Sequence, residues 1–192
     1  MKKAILLFVT FALLGLAPLT AARAETFVIM NLVTDEGVGA DVGRIVVTET
    51  PHGLVFTPEL ERLPPGMHGF HVHEKPDCGA KEIDGKPTAA GAAGGHLDPQ
   101  GAGRHGAPWG DGHLGDLPPL YVDEEGSASQ PVLAPRLELA DLQGRSVMSK
   151  RPAKSCCLAG SDQADVGTQR CGSSSSMRLL GCVGSRSSTS LR

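Results

Sequence analysis

What the chain lacks narrows it first. Between residues 25 and 65 no stretch keeps a helical period long enough to build on, which excludes a helical bundle for that region. Positive charge is scarce where a nucleic-acid interface would need it. Residues 25–148 hold eight Lys and Arg against nineteen Asp and Glu, a net charge of −11. Such a surface repels a polyanion, so nucleic acid is excluded as a partner. The formal total of −3 hides this, because residues 1–24 carry +3 and residues 149–192 carry +5. There is no C-x-x-C pair, and the adjacent Cys156 and Cys157 have the spacing of neither a zinc site nor a redox motif. Residues 149–192 contain no Phe, Tyr, Trp or His and include a serine run from Ser173 to Ser176, a composition that does not support a packed core. The apolar run at residues 4–19 is short for a bilayer and is interrupted by Pro18.

That run is preceded by Lys2 and Lys3 and followed by Ala22-Arg23-Ala24, which places small residues where a signal peptidase reads them. Residues 1–24 are therefore expected to be a signal peptide, with the mature chain starting at Glu25 and no stable membrane insertion after cleavage. Export leads to an oxidising compartment, where Cys78 can form a disulfide, its partner left open. After Glu25, residues 26–33, 43–50 and 54–57 are rich in Val, Ile, Phe and Thr, with Pro51-His52-Gly53 as a tight connection. Strand-like segments resume at 120–122 and 131–134. Residues 137–142 read either as alternating or as a short helical turn, and 144–148 begins a further strand. Short strands between Gly, Pro and Asp turns predict an all-β sandwich or barrel.

Residues 66–116 hold six of the seven histidines. Gly66-Met67-His68-Gly69-Phe70-His71-Val72-His73 reads as a strand, so His71 and His73 share one face while His68, Phe70 and Val72 share the other. His68 thus reads as a core histidine bonded to a backbone carbonyl, and His52 as a solvated turn residue. After a Gly-rich connection come His96, then His105, then His113-Leu114-Gly115-Asp116. Residues 74–115 show no sustained periodicity. A loop of that length in a compact domain needs a function or a clamp, and bound metal would supply both. Imidazoles with one carboxylate suit zinc, copper, iron or nickel and suit calcium or magnesium poorly. Five histidines and an aspartate exceed one tetrahedral site, so two metals are expected.

The order Gly69-Phe70-His71-Val72-His73, then Ala93-Gly94-Gly95-His96-Leu97-Asp98-Pro99, then lone His105, then His113-Leu114-Gly115-Asp116-Leu117-Pro118 resembles the copper/zinc superoxide dismutases. The His73-Glu74-Lys75-Pro76-Asp77-Cys78 run is similar to their bacterial periplasmic branch. The resemblance covers residues 26–148. It implies a Greek-key β-sandwich or barrel with long metal-binding loops, a periplasmic location, and copper and zinc as cofactors. It implies copper on His71, His73 and His96, which are also the catalytic residues, and zinc on His96, His105, His113 and Asp116, with His96 bridging. The substrate it implies is the superoxide anion, disproportionated to oxygen and hydrogen peroxide. Lys75, Lys81 and Lys86 are candidates to draw that anion in against the acidic surface. Homodimer and monomer both stay open.

After Met148 the resemblance stops. The family continues with Ile or Val and then H-A-G-G-D, whose histidine is the fourth copper ligand. Here Ser149 and Lys150 follow, so a cation stands at the expected place of an imidazole. Arg178 with Cys182, and Arg170 with Cys171, have the wrong spacing for the family's carboxyl-terminal arginine and cysteine. The expected division is a signal peptide at 1–24, a dismutase domain at 25–148 that is incomplete at its end, and a divergent, disordered tail at 149–192. The abrupt change of composition suggests a shifted reading frame. The alternative function is a catalytically impaired dismutase-like protein that holds zinc well and copper poorly.

Overall fold

The structure, a computed structural model, describes residues 26–151 and 178–182. The expected signal peptide and Cys156, Cys157 and Cys171 lie outside the described residues. Strands β1 (Thr26–Thr34), β2 (Gly37–Thr50) and β3 (Gly53–Leu60) form a meander of antiparallel neighbours. In β3 the burial alternates, with Leu54, Phe56 and Leu60 in the core. β2 starts ahead of its Val- and Ile-rich part, in Gly- and Ala-bearing sequence of poor strand propensity. Its first half is held by β1 across a register shift, near which Asp41 Oδ1 accepts the Gly43 N–H at 2.7 Å. Gly43 sits at φ 119° with the Glu59 carbonyl where a Cβ would be, so the bulge requires glycine.

β4 (Gly66–His73) buries His68, Phe70 and Val72, as the alternation requires. His68 Nε2 donates to the Pro64 carbonyl at 2.8 Å, the structural role expected of it, and His52 is exposed in the β2–β3 turn. The loop that follows carries structure of its own. β5 (Lys81–Ile83) and β6 (Lys86–Thr88) make a hairpin through Asp84 and Gly85, at φ 52° and 73°, the positive pair that an Asp-Gly turn supports. β7 (Asp116–Val122) begins before the expected Leu120 and runs through Pro118 and Pro119. Two prolines are tolerated because β7 is an edge strand and its pairing with β4 is irregular between His68 and Phe70. β8 (Val132–Ala134) is the other edge. Leu139–Leu142 is a 3-10 turn, closed by a capping box between Glu138 and Asp141.

β9 (Ser146–Lys150) lies between β4 and β10 (Arg178–Cys182), and β10 pairs in turn with β1. The large sheet therefore runs β7-β4-β9-β10-β1-β2-β3-β8. Four strands separate β4 from β3 in that order. Even so, Phe70 and Phe56 meet edge to face with centroids 5.5 Å apart. The sheet thus folds over on itself and packs its halves around one core, a sandwich whose edges β7 and β8 are not joined into a closed barrel.

The expected disordered tail is corrected at two places. Ser149 and Lys150 complete β9, and Arg178–Cys182 is sheet. Without β10, the facing edges of β9 and β1 would each present unpaired N–H and C=O groups in mid-sheet, so a segment that fills the gap satisfies two ladders at once.

Candidate metal centre

Three stretches far apart in sequence meet through one ring of backbone hydrogen bonds. Val72 N–H donates to the Gly115 carbonyl at 2.9 Å, Gly115 N–H to Leu97 at 2.8 Å, and Leu97 N–H to Val72 at 2.8 Å. Each member of that ring neighbours a candidate ligand: His71 and His73 flank Val72, His96 precedes Leu97, and Asp116 follows Gly115. A Cβ on Gly115 would overlap the Val72 carbonyl, so the ring closes only around glycine. On β4, His73 Nδ1 lies 3.1 Å from the Gly94 carbonyl. A carbonyl only accepts, so the hydrogen is on Nδ1 and Nε2 keeps the lone pair a metal would use.

Asp116 is the focus of the rest. It is 4% exposed, and its Oδ2 accepts the Gly106 N–H at 2.7 Å. Its Oδ1 lies 3.2 Å from His105 Nδ1, 3.4 Å from His113 Nδ1 and 3.5 Å from His96 Nδ1. Zinc bonds of about 2.0–2.1 Å in a tetrahedron set neighbouring donors about 3.3 Å apart, so this carboxylate stands at ligand spacing from three imidazoles. His96 Nδ1 is moreover buried without a hydrogen-bond partner among the described residues, a position suited to a cation rather than to packing. The four residues fit zinc.

Burial pushes the Asp116 carboxyl up, but the Gly106 N–H and the His105 and His113 imidazoles outweigh it and hold the pKa below its usual value. Burial lowers His71 to about 4 despite the opposing pull of Asp116. Burial, then the neighbouring charge of His71, lowers His96 to about 3. Both rings are neutral at pH 7, as ligands must be.

His71 stands closer to the zinc-fitting residues than its assignment to copper suggests. The ligand atoms of His71, His96, His105 and Asp116 lie within 4.8 Å of one another, with His71 Nε2 3.9 Å from Asp116 Oδ1. His96 is the shared member. Its ring centroid is 4.0 Å from His71, 4.8 Å from His73, 4.8 Å from His105 and 5.3 Å from His113. Beside these rings opens a cleft of ≈590 Å³, also lined by Lys81, Met148 and Lys150. Of the three lysines considered for steering, Lys81 reaches this lining and Lys75 and Lys86 do not. Met148 pairs with His71 across the β4–β9 ladder, and Lys150, two residues on, faces the same cleft.

A copper/zinc superoxide dismutase family model matches residues 42–169, two thirds of the chain. The chain belongs to the copper/zinc superoxide dismutase family. A family member from Pasteurella multocida is 59% identical over 110 residues, 56% of this chain and 59% of that protein. One from Escherichia coli K12 is 51% identical over 133 residues, 69% of this chain and 77% of that one. The solved copper/zinc superoxide dismutase of Brucella abortus superposes with a TM-score of 0.68 at 40% identity, covering 83% of this chain and 99% of that one. Copper and zinc are the cofactors of this enzyme family.

Sequence reasoning missed the residues that shape the family's metal loop here. Gly115 lay inside a recognised motif, yet its role depends on a contact with β4. Gly106 and Gly112 approach each other so closely that a Cβ on Gly106 would sit 2.6 Å from the Gly112 nitrogen. That approach brings His105 and His113 to a centroid distance of 5.0 Å. Arg136 reaches the same loop from beyond β8 and bears no motif.

Proposed function

We propose that this protein disproportionates superoxide to oxygen and hydrogen peroxide at a copper centre joined to zinc through His96. The observation that carries the reading is the position of the His96 ring, whose centroid lies 4.0 and 4.8 Å from those of His71 and His73 and 4.8 and 5.3 Å from those of His105 and His113. His71, His73 and His96 would hold copper, and His96, His105, His113 and Asp116 would hold zinc. When bound, copper supplies the one-electron chemistry, while zinc supplies fixed charge and order without redox change. His96 must then offer both ring nitrogens, and a site that disfavours its protonated form agrees with that demand. Gly94 holds the tautomer of His73. Lys81 at the cleft offers an anion local positive potential within an acidic protein.

The cellular setting and domain division follow the sequence. Residues 1–24 would direct export to the periplasm, leaving a chain from Glu25 with no span in the membrane. The catalytic unit would be 25–148 together with the sheet segments that continue beyond it. Cys78, buried beside Val33, Ala90 and Met148, would form a disulfide there.

A second reading is favoured by Lys150. It lines the cleft with the three copper-side histidines at the position where the family's fourth imidazole is expected. An ammonium opposes a cation and donates no lone pair, so the protein would hold zinc well, copper poorly, and turn over slowly. One experiment separates the readings. The purified protein is expected to bind about one zinc per chain, and His113→Ala to lose it. With copper supplied, Lys150→His is expected to raise both copper content and dismutation above wild type, with His71→Ala inactive. Zinc retained in His113→Ala at full stoichiometry would sink the site assignment. Wild-type turnover equal to that of Lys150→His would sink the impaired reading.

A further inference from the structure

The stretch from Asp98 to Asp111 carries both the approach to His105 and most of the chain between it and His113, yet none of its side chains is buried. Its internal bonds are local. Asp98 accepts the N–H groups of Ala102 and Gly103 at 2.9 Å each, and Arg104 pairs with Asp111 where both are exposed. Such contacts shape the loop but do not say where it stands against the sandwich, and an exposed ion pair adds little. Among the described residues, two side chains outside the loop bond to the backbone of residues 98–113. One is Asp116, through Gly106 N–H. The other is Arg136.

Arg136 spends three different nitrogens on three carbonyls of this one segment. Nε donates to Pro108 at 2.8 Å, one terminal nitrogen to Gly112 at 3.1 Å, and the other to His113 at 2.5 Å. The rigid, planar guanidinium suits such a set, since its donors point in fixed directions. Its base is equally fixed. Ala134 and Leu137 on either side are buried, Leu137 N–H donates to the Ala134 carbonyl at 3.4 Å, and Gly53 lies so close that a Cβ would touch Pro135 Cα at 2.6 Å. Besides the buried Asp116 of β7, the sandwich therefore reaches the backbone of this loop through the half-buried Arg136 side chain. Its acceptors include the backbone of a zinc-fitting histidine and one of the two glycines that bring His105 and His113 together.

We propose that Arg136 is the positioning residue of the metal loop: by binding the carbonyls of Pro108, Gly112 and His113 it sets where His105 and His113 stand relative to Asp116. This rests on the zinc assignment made above. It touches no metal and no substrate, and acts through the backbone of the ligands. Outer partners of this kind are worth on the order of 10–100-fold in metal affinity.

The test compares Arg136→Gln and Arg136→Lys with wild type and with His113→Ala. Zinc affinity is read by chelator competition, the ligand geometry by the visible spectrum of the cobalt(II)-substituted protein, and the fold by thermal melting without metal. Arg136→Gln is expected to weaken zinc about 10–100-fold and to alter the cobalt spectrum, with metal-free melting close to wild type. Arg136→Lys is expected to fall between the two, because an ammonium keeps the charge but not the three-way fork. Wild-type zinc affinity and spectrum in Arg136→Gln, with His113→Ala losing zinc, would overturn the role of Arg136 alone. An equal loss of melting temperature with and without zinc would overturn it too, by making Arg136 a support of the sandwich. Full zinc retention in His113→Ala would overturn the site and this proposal together.

Discussion

At the scale of single residues, the buried polar groups in and beside β4 make the sharpest expectations. Burial lowers the pKa of His68 from the usual 6.5, against the opposing hydrogen bond to Pro64. Its folded value is thus below its unfolded one, and the unfolded chain binds the extra proton. The contribution to stability is complete above about pH 6.5 and is lost progressively as the pH falls from there through the lowered folded value. His68→Gln keeps a donor for Pro64 and removes the titration. Metal-free melting temperature from pH 7 to pH 5 is therefore expected to fall less steeply in this variant, and an identical slope would contradict the argument. Ser149 makes a second case. It is 1% exposed on β9, cross-strand from Phe70, and its hydroxyl has no hydrogen-bond partner among the described residues. Ser149→Val removes that unmet group and adds strand propensity, so a gain of about 1 kcal/mol, or roughly 2–4 °C in melting temperature, is expected by calorimetry. A lower melting temperature would show that the site has no room for the added methyl groups.

At the scale of elements, the metal loop depends on glycines where backbone meets backbone. A Cβ on Gly112 would lie 2.5 Å from Gly106 Cα, and neither partner is the yielding end of a side chain. Gly112→Ala is expected to push apart the strands of loop that carry His105 and His113, costing zinc affinity on the order of tenfold or more. The far-ultraviolet circular dichroism of the sandwich should stay as it is, because residues 98–111 contribute no buried side chain. Wild-type zinc affinity in this variant, measured by chelator competition, would rule the argument out. The same elements explain where sequence reading reached and where it stopped. The β4 strand was legible because its period of two placed His71 and His73 opposite His68, Phe70 and Val72. The β5–β6 hairpin carried a readable signal in Asp84-Gly85 that a loop of mostly Gly, Pro and Ala obscured. The start of β7 was not legible, since Pro118 and Pro119 argue against a strand until one knows that it forms an edge.

At the scale of the whole molecule, the sheet is held together by a strand from the least promising part of the chain. β10 sits between β9 and β1, so the route from β4 to β3 across the sheet passes through residues 178–182. A chain ending after Arg151 would leave two facing strand edges unpaired in the middle of the sandwich. Its cooperative thermal transition is expected to be lost or to move down by ten degrees or more, on the order of several kcal/mol. Unchanged melting of the truncated chain would mean that β9 and β1 need no strand between them.

The sequence by itself determined the types and order of the candidate ligands, and the face of β4 that carries the first pair. These are local properties, set by donor chemistry and by the strand's period of two. It also placed Lys150 where the family pattern carries an imidazole. Only the tertiary structure decided that Val72, Leu97 and Gly115 close one hydrogen-bonded ring, that His96 touches both histidine groups, and that Arg136 grips a loop 23 to 28 residues earlier in the chain. It alone also drew Arg178–Cys182 into the sheet. The reason is backbone pairing, direct for the ring, for Arg136 and for the added strand, and indirect for His96, which its neighbour Leu97 carries. Buried backbone groups must find partners, and which distant segment supplies them follows from how the sheet folds over on itself and not from any spacing along the chain.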